Sequence, residues 1–239
     1  MARQRKTEET SPRRQVSRLP RERRIGEIMD AGLTIFRRKG YDDAMMSEIA
    51  ELAGVVEGTI YRYFENKRDL LVKIVERWYE GLLAEEDRQL TGIRGTLNRL
   101  RSMIRQHLVS IRDEPALSRL VLMELRSDPR YRSTRLFQLN RDYTQRIIDV
   151  IQQASASGEL RSDLPLPLIR DLIFGGMEHY TWGFLRGEKP LQVDEAADAI
   201  ADILYRGLLR GGPDATALAL DRLERITERL ERLSPSEHN

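Results

Sequence analysis

The sequence predicts an all-α protein of about ten helices, and three observations support this fold class. Gly and Pro account for only 25 of the 239 residues, and most of them lie between segments with apolar residues at helical spacing. No segment shows the strict apolar–polar alternation of a half-buried β-strand. With 40% hydrophobic and 33% charged residues, the chain has enough apolar side chains for a core and a well-solvated surface.

The N-terminal part begins with four amphipathic helices, separated by residues that favour helix ends. These helices are predicted at 21–38, about 46–53, 57–64 and 67 to about 90. Pro20 suits the first turn of the first helix, and Gly40 and Gly54 suit the ends of the first two. Asn66 is an expected N-cap for the fourth.

Six further helices are predicted after these, most of them separated by Pro- or Gly-containing loops. They lie at about 94–112, 115–127, 131–157, 165–186, 194–210 and 214–233. Asp194 is the expected cap of the fifth. The sixth has Leu223, Ile226, Leu230 and Leu233 on one seam. Two roles are open for it: packing on its own subunit, or pairing with a second chain.

The charge of the chain is unevenly distributed. The first 24 residues carry nine basic and three acidic side chains, a net charge of +6, whereas the remainder carries a net charge of −4. A basic arm on an acidic body indicates contact with a polyanion, and a solubilising tail is the alternative. We assign residues 1–20 to a flexible basic arm.

The composition excludes several classes of protein. The absence of Cys excludes disulfides, thiolate nucleophiles and iron–sulfur sites. The longest stretch without a charged residue is nine residues, which is too short to span a membrane. We expect a cytoplasmic location, because the N-terminus has no apolar signal-peptide core. No catalytic constellation, cofactor motif or metal-ligand spacing is present, so we predict no enzymatic activity, cofactor or metal site.

Residues 40–67 contain the most informative pattern. Two very short predicted helices are joined by a turn at Gly54, with Ile49 and Ala53 facing inward from the first and Ile60 and Phe64 from the second. This is the design of a helix-turn-helix, whose second helix enters the major groove of DNA.

The side chains left outside this small core define a candidate DNA interface. Gly58 allows close approach of the backbone, hydroxyl groups can bond phosphates, and Arg62 can reach a guanine edge. Lys67 begins the next helix, whose amides attract phosphate. The candidate residues are Ser47, Glu57, Gly58, Thr59, Tyr61, Arg62, Tyr63 and Lys67. Single residues have alternatives: Tyr63 could pack against Phe36, Arg62 could pair with Glu65 or Asn66, and Lys67 could be a solvated charge.

Residues 21–78 resemble the DNA-binding domain of TetR-type transcriptional regulators. The resemblance rests on Gly40-Tyr41, Ile49-Ala50, Ala53-Gly54-Val55, Gly58-Thr59-Ile60-Tyr61 and Tyr63-Phe64, followed by Lys67. It implies a homodimer that binds a palindromic operator, with a helix-turn-helix domain over 21–68. It also implies a ligand-binding and dimerisation domain over 69–211, followed by an amphipathic helix and tail over 212–239.

Three positions depart from the pattern of the family. Val56 and Met45 stand where many members have hydroxyl residues that cap helices, and Glu57 stands where many have Lys. A carboxylate at a helix N-terminus is favourable by roughly 0.3–1 kcal/mol, and we prefer this role for Glu57 over accepting a hydrogen bond from cytosine. By analogy with arms that enter a minor groove, Arg13, Arg14 and Arg18 are candidates for further DNA contacts.

Shorter patterns in the C-terminal half resemble the TetR-type regulators of fatty-acid degradation that sense acyl-CoA. They are Met123-Glu124-Leu125-Arg126, Gly158-Glu159-Leu160 and Ile173-Phe174-Gly175-Gly176-Met177. The candidate pocket residues are Met103, Ile104, His107, Leu108, Val121, Leu122, Arg126, Phe137, Ile147, Phe174, Met177, Tyr180 and Trp182. Arg126, Arg130, Arg132 and Arg135 could meet the phosphates of CoA. Ordinary core and a solvated face are the alternatives.

The favoured function is a homodimeric repressor that a small hydrophobic effector releases from DNA, with dimerisation through about 165–210. Gly175 and Gly176 suggest close helix approach at that interface. Acyl-CoA is the first effector considered, and a drug-like ligand that controls efflux or detoxification is the second. A nonspecific architectural DNA-binding protein and a lipid carrier with a lapsed DNA-binding helix are alternatives from other classes.

Overall fold

The computed structural model describes residues 21–210 and the single residue Glu224. Outside the described residues lie the predicted arm over 1–20 with Arg13, Arg14 and Arg18, and, apart from Glu224, the predicted helix and tail over 212–239. Within the described part, no helix combines the length and apolar composition needed to cross a bilayer.

The described part consists of nine α-helices joined by short connections. In chain order they are α1 (Arg21–Lys39), α2 (Met46–Leu52), α3 (Glu57–Ile60), α4 (Lys67–Leu90), α5 (Thr96–Asp113), α6 (Pro115–Leu120), α7 (Arg135–Ala156), α8 (Leu166–Leu185) and α9 (Val193–Leu208). A π-helical turn, Val121–Leu125, follows α6, and a short 3-10 helix, Tyr131–Ser133, precedes α7. The β-type pairing of these residues is limited to one isolated bridge between Leu160 and Leu209. The predicted all-α class is confirmed.

Several helix ends follow from the residues predicted to form them. Gly40 and Gly54 have positive φ angles of 79° and 65°, a conformation that Gly adopts without a Cβ clash. The side chain of Asn66 accepts a hydrogen bond from the amide of Asp69 at 2.9 Å, and this caps α4 as predicted.

Other ends differ from the prediction. The third helix stops at Ile60, since the following amides bond at i−3 spacing and tighten the last turn: Arg62 N–H to Thr59 O at 3.3 Å and Tyr63 N–H to Ile60 O at 2.9 Å. The helix predicted from 131 starts at Arg135, because the hydroxyl of Thr134 accepts from the amide of Phe137.

Asp194 was expected to cap the last helix of the body, and this prediction was wrong. The residue at the N-cap of α9 is Gln192, which makes no side-chain capping bond. Asp194 lies two residues later, in the first turn of α9, and forms an ion pair with Arg105 of α5, with Nε 2.6 Å from Oδ1. The pair lies on the packed α5–α9 side of the body.

The buried apolar residues form two clusters, and the first extends beyond the helix-turn-helix. It joins the interior of α1–α4 to residues of α6, the π turn and α7, including Leu117, Val121 and Tyr143. The second cluster fills the space among α5, α7, α8 and α9. The helix-turn-helix and the adjoining part of the body therefore share a continuous core.

The helix α4 belongs to both parts. Near its N-terminus it packs closely on α1, where a Cβ on Gly32 would lie 3.0 Å from Cδ1 of Ile74 and 3.1 Å from Cδ2 of Leu70. One turn beyond Ile74, Trp78 and Tyr79 face the body. The helix α4 is therefore packed tightly on α1 and also contributes side chains to the body.

Candidate nucleic-acid interface and internal cavity

The helix-turn-helix is held together by buried residues on its inner side. Ile49 and Ile60 are fully buried, and Phe64 and Ala50 are each 3% exposed. The turn between the helices is closed by the Val55 amide, which donates to Ala50 O at 2.9 Å. Burial of this side fixes which side chains of α2 and α3 remain outside.

Most of the predicted DNA-contacting residues lie on the outer surface. Ser47, Glu57, Gly58, Tyr61 and Arg62 are exposed. Arg62 forms no ion pair with any residue that the structure describes, so its guanidinium group is available to a ligand. The predicted alternatives of pairing with Glu65 or Asn66 do not occur.

Two predicted contact residues lie partly in the interior. Thr59 is half-buried, and Tyr63 is half-buried against the first core cluster. Tyr63 therefore packs on the cluster to which Phe36 belongs. Its contact with DNA remains a prediction.

Glu57 and Tyr61 form a pair on the exposed side of the third helix. The hydroxyl of Tyr61 donates to Oε1 of Glu57 at 3.2 Å, and burial together with this bond raises the pKa of the Tyr61 phenol. Glu57 occupies the first turn of α3, where a carboxylate is favoured electrostatically, and Val56 makes no side-chain capping bond.

Lys67 has a structural environment that the sequence did not predict. Its ammonium group donates to three carbonyl oxygens, those of Tyr41 at 2.7 Å, Asp42 at 3.0 Å and Ala44 at 3.0 Å. It also lies 4.6 Å from the ring centroid of Tyr41. All of its hydrogens are used within the chain, so the arrangement favours anchoring of the 41–44 loop over a direct phosphate bond.

The body contains a cavity of about 480 Å³ beside α4. It is partly open to solvent and is lined by residues of α4, α5, α6, the π turn, the 3-10 helix, α7 and α8. Its lining residues are Trp78, Tyr79, His107, Ile111, Ser118, Val121, Leu122, Arg126, Tyr131, Arg132, Phe137, Asn140, Arg141, Tyr143, Thr144, Arg170, Asp171, Phe174, Glu178 and Thr181. A π-helical turn in such a wall is notable because these turns occur frequently at functional sites.

Six of the predicted pocket residues line this cavity, and the others do not. The six are His107, Val121, Leu122, Arg126, Phe137 and Phe174. Met103, Ile104, Leu108, Ile147 and Met177 instead belong to the second core cluster, where neighbouring helices cover them. Tyr180 packs at the edge of that cluster, under the ammonium group of Lys189, and Trp182 lies half-buried outside the cavity lining.

Most aromatic residues of the cavity wall were not predicted from the sequence. Trp78 and Tyr79 follow the core residues of α4 by one helical turn, and this spacing is a signal that could have identified them. Tyr131 of the 3-10 helix and Tyr143 of α7 carried no such signal, since only the packing of these elements against the other helices brings them to the cavity. The rings pack mainly edge to face, as in Tyr131–Phe137 with centroids 5.6 Å apart and His107–Phe174 at 5.3 Å.

Several polar groups lie within this wall. Nδ1 of His107 is 3.3 Å from the hydroxyl of Tyr143, and the hydroxyl of Tyr79 donates to Oδ1 of Asn140 at 3.0 Å. Burial, followed by the charge of Arg126, lowers the pKa of His107 to about 4, so its imidazole is neutral at physiological pH. The buried hydroxyl of Tyr131 has no hydrogen-bond partner among the described residues.

The arginines at the cavity differ from the predicted cluster. Arg126 and Arg132 line the cavity, whereas Arg130 pairs with Asp128 and Arg135 with Glu80. Nη1 of Arg126 is 2.9 Å from Oε2 of Glu178.

Two other guanidinium groups are free for an anionic ligand. Arg132 and Arg141 line the cavity and form no ion pair with a described residue. The described part of the chain also contains no cluster of His, Asp and Glu residues that could hold a metal ion.

The outer faces of α8 and α9 expose apolar side chains. Leu168 and Leu172 are 51% and 64% exposed, and Ile203 is 70% exposed. Gly175 is exposed on the same stripe of α8, and a Cβ added there or at Gly176 would have no described atom within 4 Å. The close approach expected at these glycines therefore does not occur within the described chain.

Comparison with known proteins identifies both parts of the chain. The family model described as bacterial regulatory proteins, tetR family, matches residues 28–74. The model described as the tetracyclin repressor-like C-terminal domain matches residues 94–208.

Individual relatives are distant but cover most of the chain. The fatty acid metabolism regulator protein of Bacillus subtilis is 22% identical over 182 residues, which covers 76% of this chain and 94% of that protein. The structure of the regulator FadR from Bacillus subtilis in complex with stearoyl-CoA aligns with a TM-score of 0.68 at 24% identity, covering 77% of this chain and 98% of that one. The ketosteroid regulator KstR2 of Mycobacterium tuberculosis aligns with a TM-score of 0.57 at 21% identity, covering 78% and 95%.

The helix-turn-helix, the helical body and the two family matches lead to the same assignment. The members of this family are DNA-binding regulators and not enzymes. The chain belongs to the TetR family and is a TetR-type transcriptional regulator.

Proposed function

We propose that the protein is a homodimeric repressor that leaves a palindromic operator when a hydrophobic anion occupies the cavity. The observation that carries this proposal is the position of α4. Its first turns pack on α1 through Leu70 and Ile74, and its next turn places Trp78 and Tyr79 in the cavity wall. A ligand that displaces the two rings moves the helix on which the DNA-binding domain rests.

The DNA contact is assigned to the exposed residues of α2, of α3 and of the turn that follows α3. Arg62 supplies an unpaired cation, Gly58 allows close approach, and Ser47 and Tyr61 supply hydroxyl groups. The arm residues Arg13, Arg14 and Arg18 are proposed to add minor-groove or phosphate contacts, since a basic arm precedes α1 in the sequence. Operator half-sites about 34–36 Å apart then match one separation of the two recognition helices.

Dimerisation is assigned to α8 and α9. Leu168, Leu172, Gly175 and His179 lie at i, i+4, i+7 and i+11 on one exposed stripe of α8, and Ile203 lies on α9. An exposed apolar stripe with small residues suits an isologous interface, in which each helix meets its copy at close range.

A fatty acyl-CoA is the first proposed effector. The free guanidinium groups of Arg132 and Arg141 suit phosphate or carboxylate, and apolar side chains such as Val121, Leu122 and Phe137 suit an acyl chain. The similarity to the fatty acid metabolism regulator protein of Bacillus subtilis supports the same class of effector.

A drug-like ring compound is the second proposed effector class, with an efflux or detoxification gene as its target. The observation that favours it is the aromatic wall formed by Trp78, Tyr79, Tyr131, Tyr143 and Phe174. Rings in edge-to-face arrays offer flat surfaces that a rigid ligand covers better than a flexible chain does.

Operator binding is tested by fluorescence anisotropy with the DNA upstream of the protein's own gene. We expect saturable binding, and a small excess of a random duplex of equal length should not displace the operator DNA. Arg62→Ala should lose this discrimination between operator and random DNA. Equal affinity for both duplexes, with a steep salt dependence, would support the architectural alternative.

The effector is tested on the same complex with saturated acyl-CoAs of graded chain length, and with free CoA as control. Release at micromolar acyl-CoA, and weaker release in an Arg132→Ala/Arg141→Ala double variant, are the expected results. No release at any chain length eliminates acyl-CoA. Mass spectrometry of small molecules that copurify with the protein then distinguishes ring compounds from lipids.

A further inference from the structure

The start of the recognition helix exposes an apolar side chain that the fold does not use. Val56 is the N-cap residue of α3, with φ −79° and ψ 145°, and it makes no side-chain capping bond. It is 74% exposed, the highest value among the large apolar residues exposed in the described chain. Its two methyl groups therefore gain little from packing against the rest of the protein.

Valine at this position also costs stability. Ser, Thr, Asn or Asp at an N-cap stabilises a helix by about 1 kcal/mol relative to an aliphatic residue, and α3 is only four residues long. Within the described residues no side chain caps the helix and Val56 is not buried, so its methyl groups are available to a surface that covers them in a complex.

The neighbouring groups indicate which part of DNA covers this position. Glu57 is adjacent, exposed and oriented by the hydroxyl of Tyr61. A carboxylate is repelled by phosphates but accepts hydrogen bonds from base amino groups, so this side of α3 suits base edges and not the backbone. The N-terminal residues of a recognition helix are also the ones that contact bases.

In the major groove, the apolar group that a base presents is the C5-methyl of thymine. We propose that Val56 contacts a thymine methyl in each operator half-site and selects thymine at that position. The inference rests on the proposed operator binding and deepens it, since it assigns one base of the half-site to one side chain.

The test uses the full-length protein and an operator obtained by selection from random duplexes. Each symmetric pair of thymines is replaced by deoxyuridine, which removes the methyl groups and keeps the base pairing. For the wild type, deoxyuridine at one of these pairs should lower operator affinity about fifteenfold. This corresponds to about fourfold per half-site, from the loss of one buried methyl group in each. The other pairs should have little effect.

Two variants separate the contact from helix stability. Val56→Ala removes the methyl groups without adding a cap, and Val56→Ser removes them and adds a capping hydroxyl. Both should respond to deoxyuridine less than the wild type does, and Val56→Ser should respond least because its side chain ends in a polar hydroxyl. Val56→Ser should melt at the same or a higher temperature than the wild type. The matched control Met45→Ala, at an exposed apolar N-cap of α2, should keep the wild-type response.

The proposal is overturned if no thymine pair responds to deoxyuridine in the wild type, or if Val56→Ala retains the full response. These outcomes leave operator binding intact. Equal wild-type affinity for selected and random DNA would instead contradict operator binding itself, and the thymine contact with it.

Discussion

The guanidinium group of Arg68 is 2.6 Å from the carboxylate of Asp128, and it donates a second bond to the carbonyl oxygen of Glu124 at 3.2 Å. Arg68 lies in the first turn of α4, and Glu124 belongs to the π turn that forms part of the cavity wall. The side chains of Arg68 and Asp128 are 32% and 18% exposed, so solvent screens this pair only partly. The contact joins the π turn and the loop after it to the end of α4 nearest the recognition helix.

Arg68→Ala should weaken the coupling between the cavity and DNA. Couplings of this kind are worth about 1–3 kcal/mol, so the effector-induced loss of operator affinity should shrink by about fivefold or more. Operator affinity without effector should change much less, because Arg68 faces the body. Anisotropy titrations of the operator, with and without saturating effector, measure both quantities.

The matched control for this prediction is Arg88→Ala. Arg88 lies near the opposite end of α4 and pairs with Glu85 of the same helix, so its loss should leave the coupling unchanged. Equal coupling in the wild type and Arg68→Ala would show that the signal passes through α4 packing alone.

The second prediction concerns the exposed stripe of α8. Leu172→Glu should convert the dimer to a monomer, because an isologous interface buries the introduced carboxylate twice and without a partner. Sedimentation velocity measures the change, and operator binding should weaken in parallel. Met123→Glu, which replaces a side chain that is 58% exposed on the π turn, should remain dimeric. A monomeric wild type, or a dimeric Leu172→Glu, would contradict the assigned interface.

The DNA-binding part could be predicted from the sequence because its structure is determined locally. Gly54, the inward spacing of Ile49 and Ile60, and the cap at Asn66 act within a few residues of their own helices. Lys67 shows the limit of such reasoning. Its three acceptors lie 23 to 26 residues earlier in the chain, and only the folded structure brings them together.

The cavity could be predicted only in part because helix packing determines it. Met103 and His107 lie one turn apart on α5, yet Met103 joins the second core and His107 lines the cavity. Apolar periodicity identifies both as inward-facing and does not state which neighbour each meets. The π turn at 121–125 was also missed, since the spacing over 115–127 fits a continuous α-helix.

The third prediction concerns the unpaired hydroxyl of Tyr131. Tyr131→Phe should raise the free energy of unfolding by about 1 kcal/mol, because a buried donor without a partner is costly. The melting temperature should rise by about 2–4 °C for a chain of this size. Tyr79→Phe is the matched comparison and should destabilise by about 0.5–1.5 kcal/mol, since the Tyr79 hydroxyl bonds Asn140. Destabilisation by both variants would indicate that the Tyr131 hydroxyl has a partner in solution.

The fourth prediction concerns Glu86, which is 3% exposed between α4 and α7. Its Oε2 atom lies 3.7 Å from Nε of Arg146 and has no hydrogen-bond partner in the part of the chain that the structure describes. Burial raises the pKa of this carboxyl from 4.5 to about 7, against the opposing effect of Arg146 and with a smaller contribution from Asp87.

A carboxyl with a raised pKa holds its proton more tightly in the folded state than in the unfolded state. Between pH 4.5 and about 7 the folded chain therefore binds more protons at Glu86, and its contribution to stability falls as the pH rises through this range. Glu86→Gln removes this dependence. The variant should match the wild type near pH 4.5 and exceed it by on the order of 2–3 kcal/mol at pH 8.

Urea denaturation of both proteins at several pH values from 5 to 8 measures this difference. The lowered pKa of His107 gives an opposite slope below pH 6.5, but it is common to both proteins and cancels in the comparison. Glu85→Gln is the matched control: Glu85 pairs with Arg88, and this pairing lowers its pKa, so its loss should not stabilise the protein at pH 8. A Glu86→Gln advantage that stays constant across the pH range would mean that Glu86 ionises normally, and that polar packing alone makes the position unfavourable.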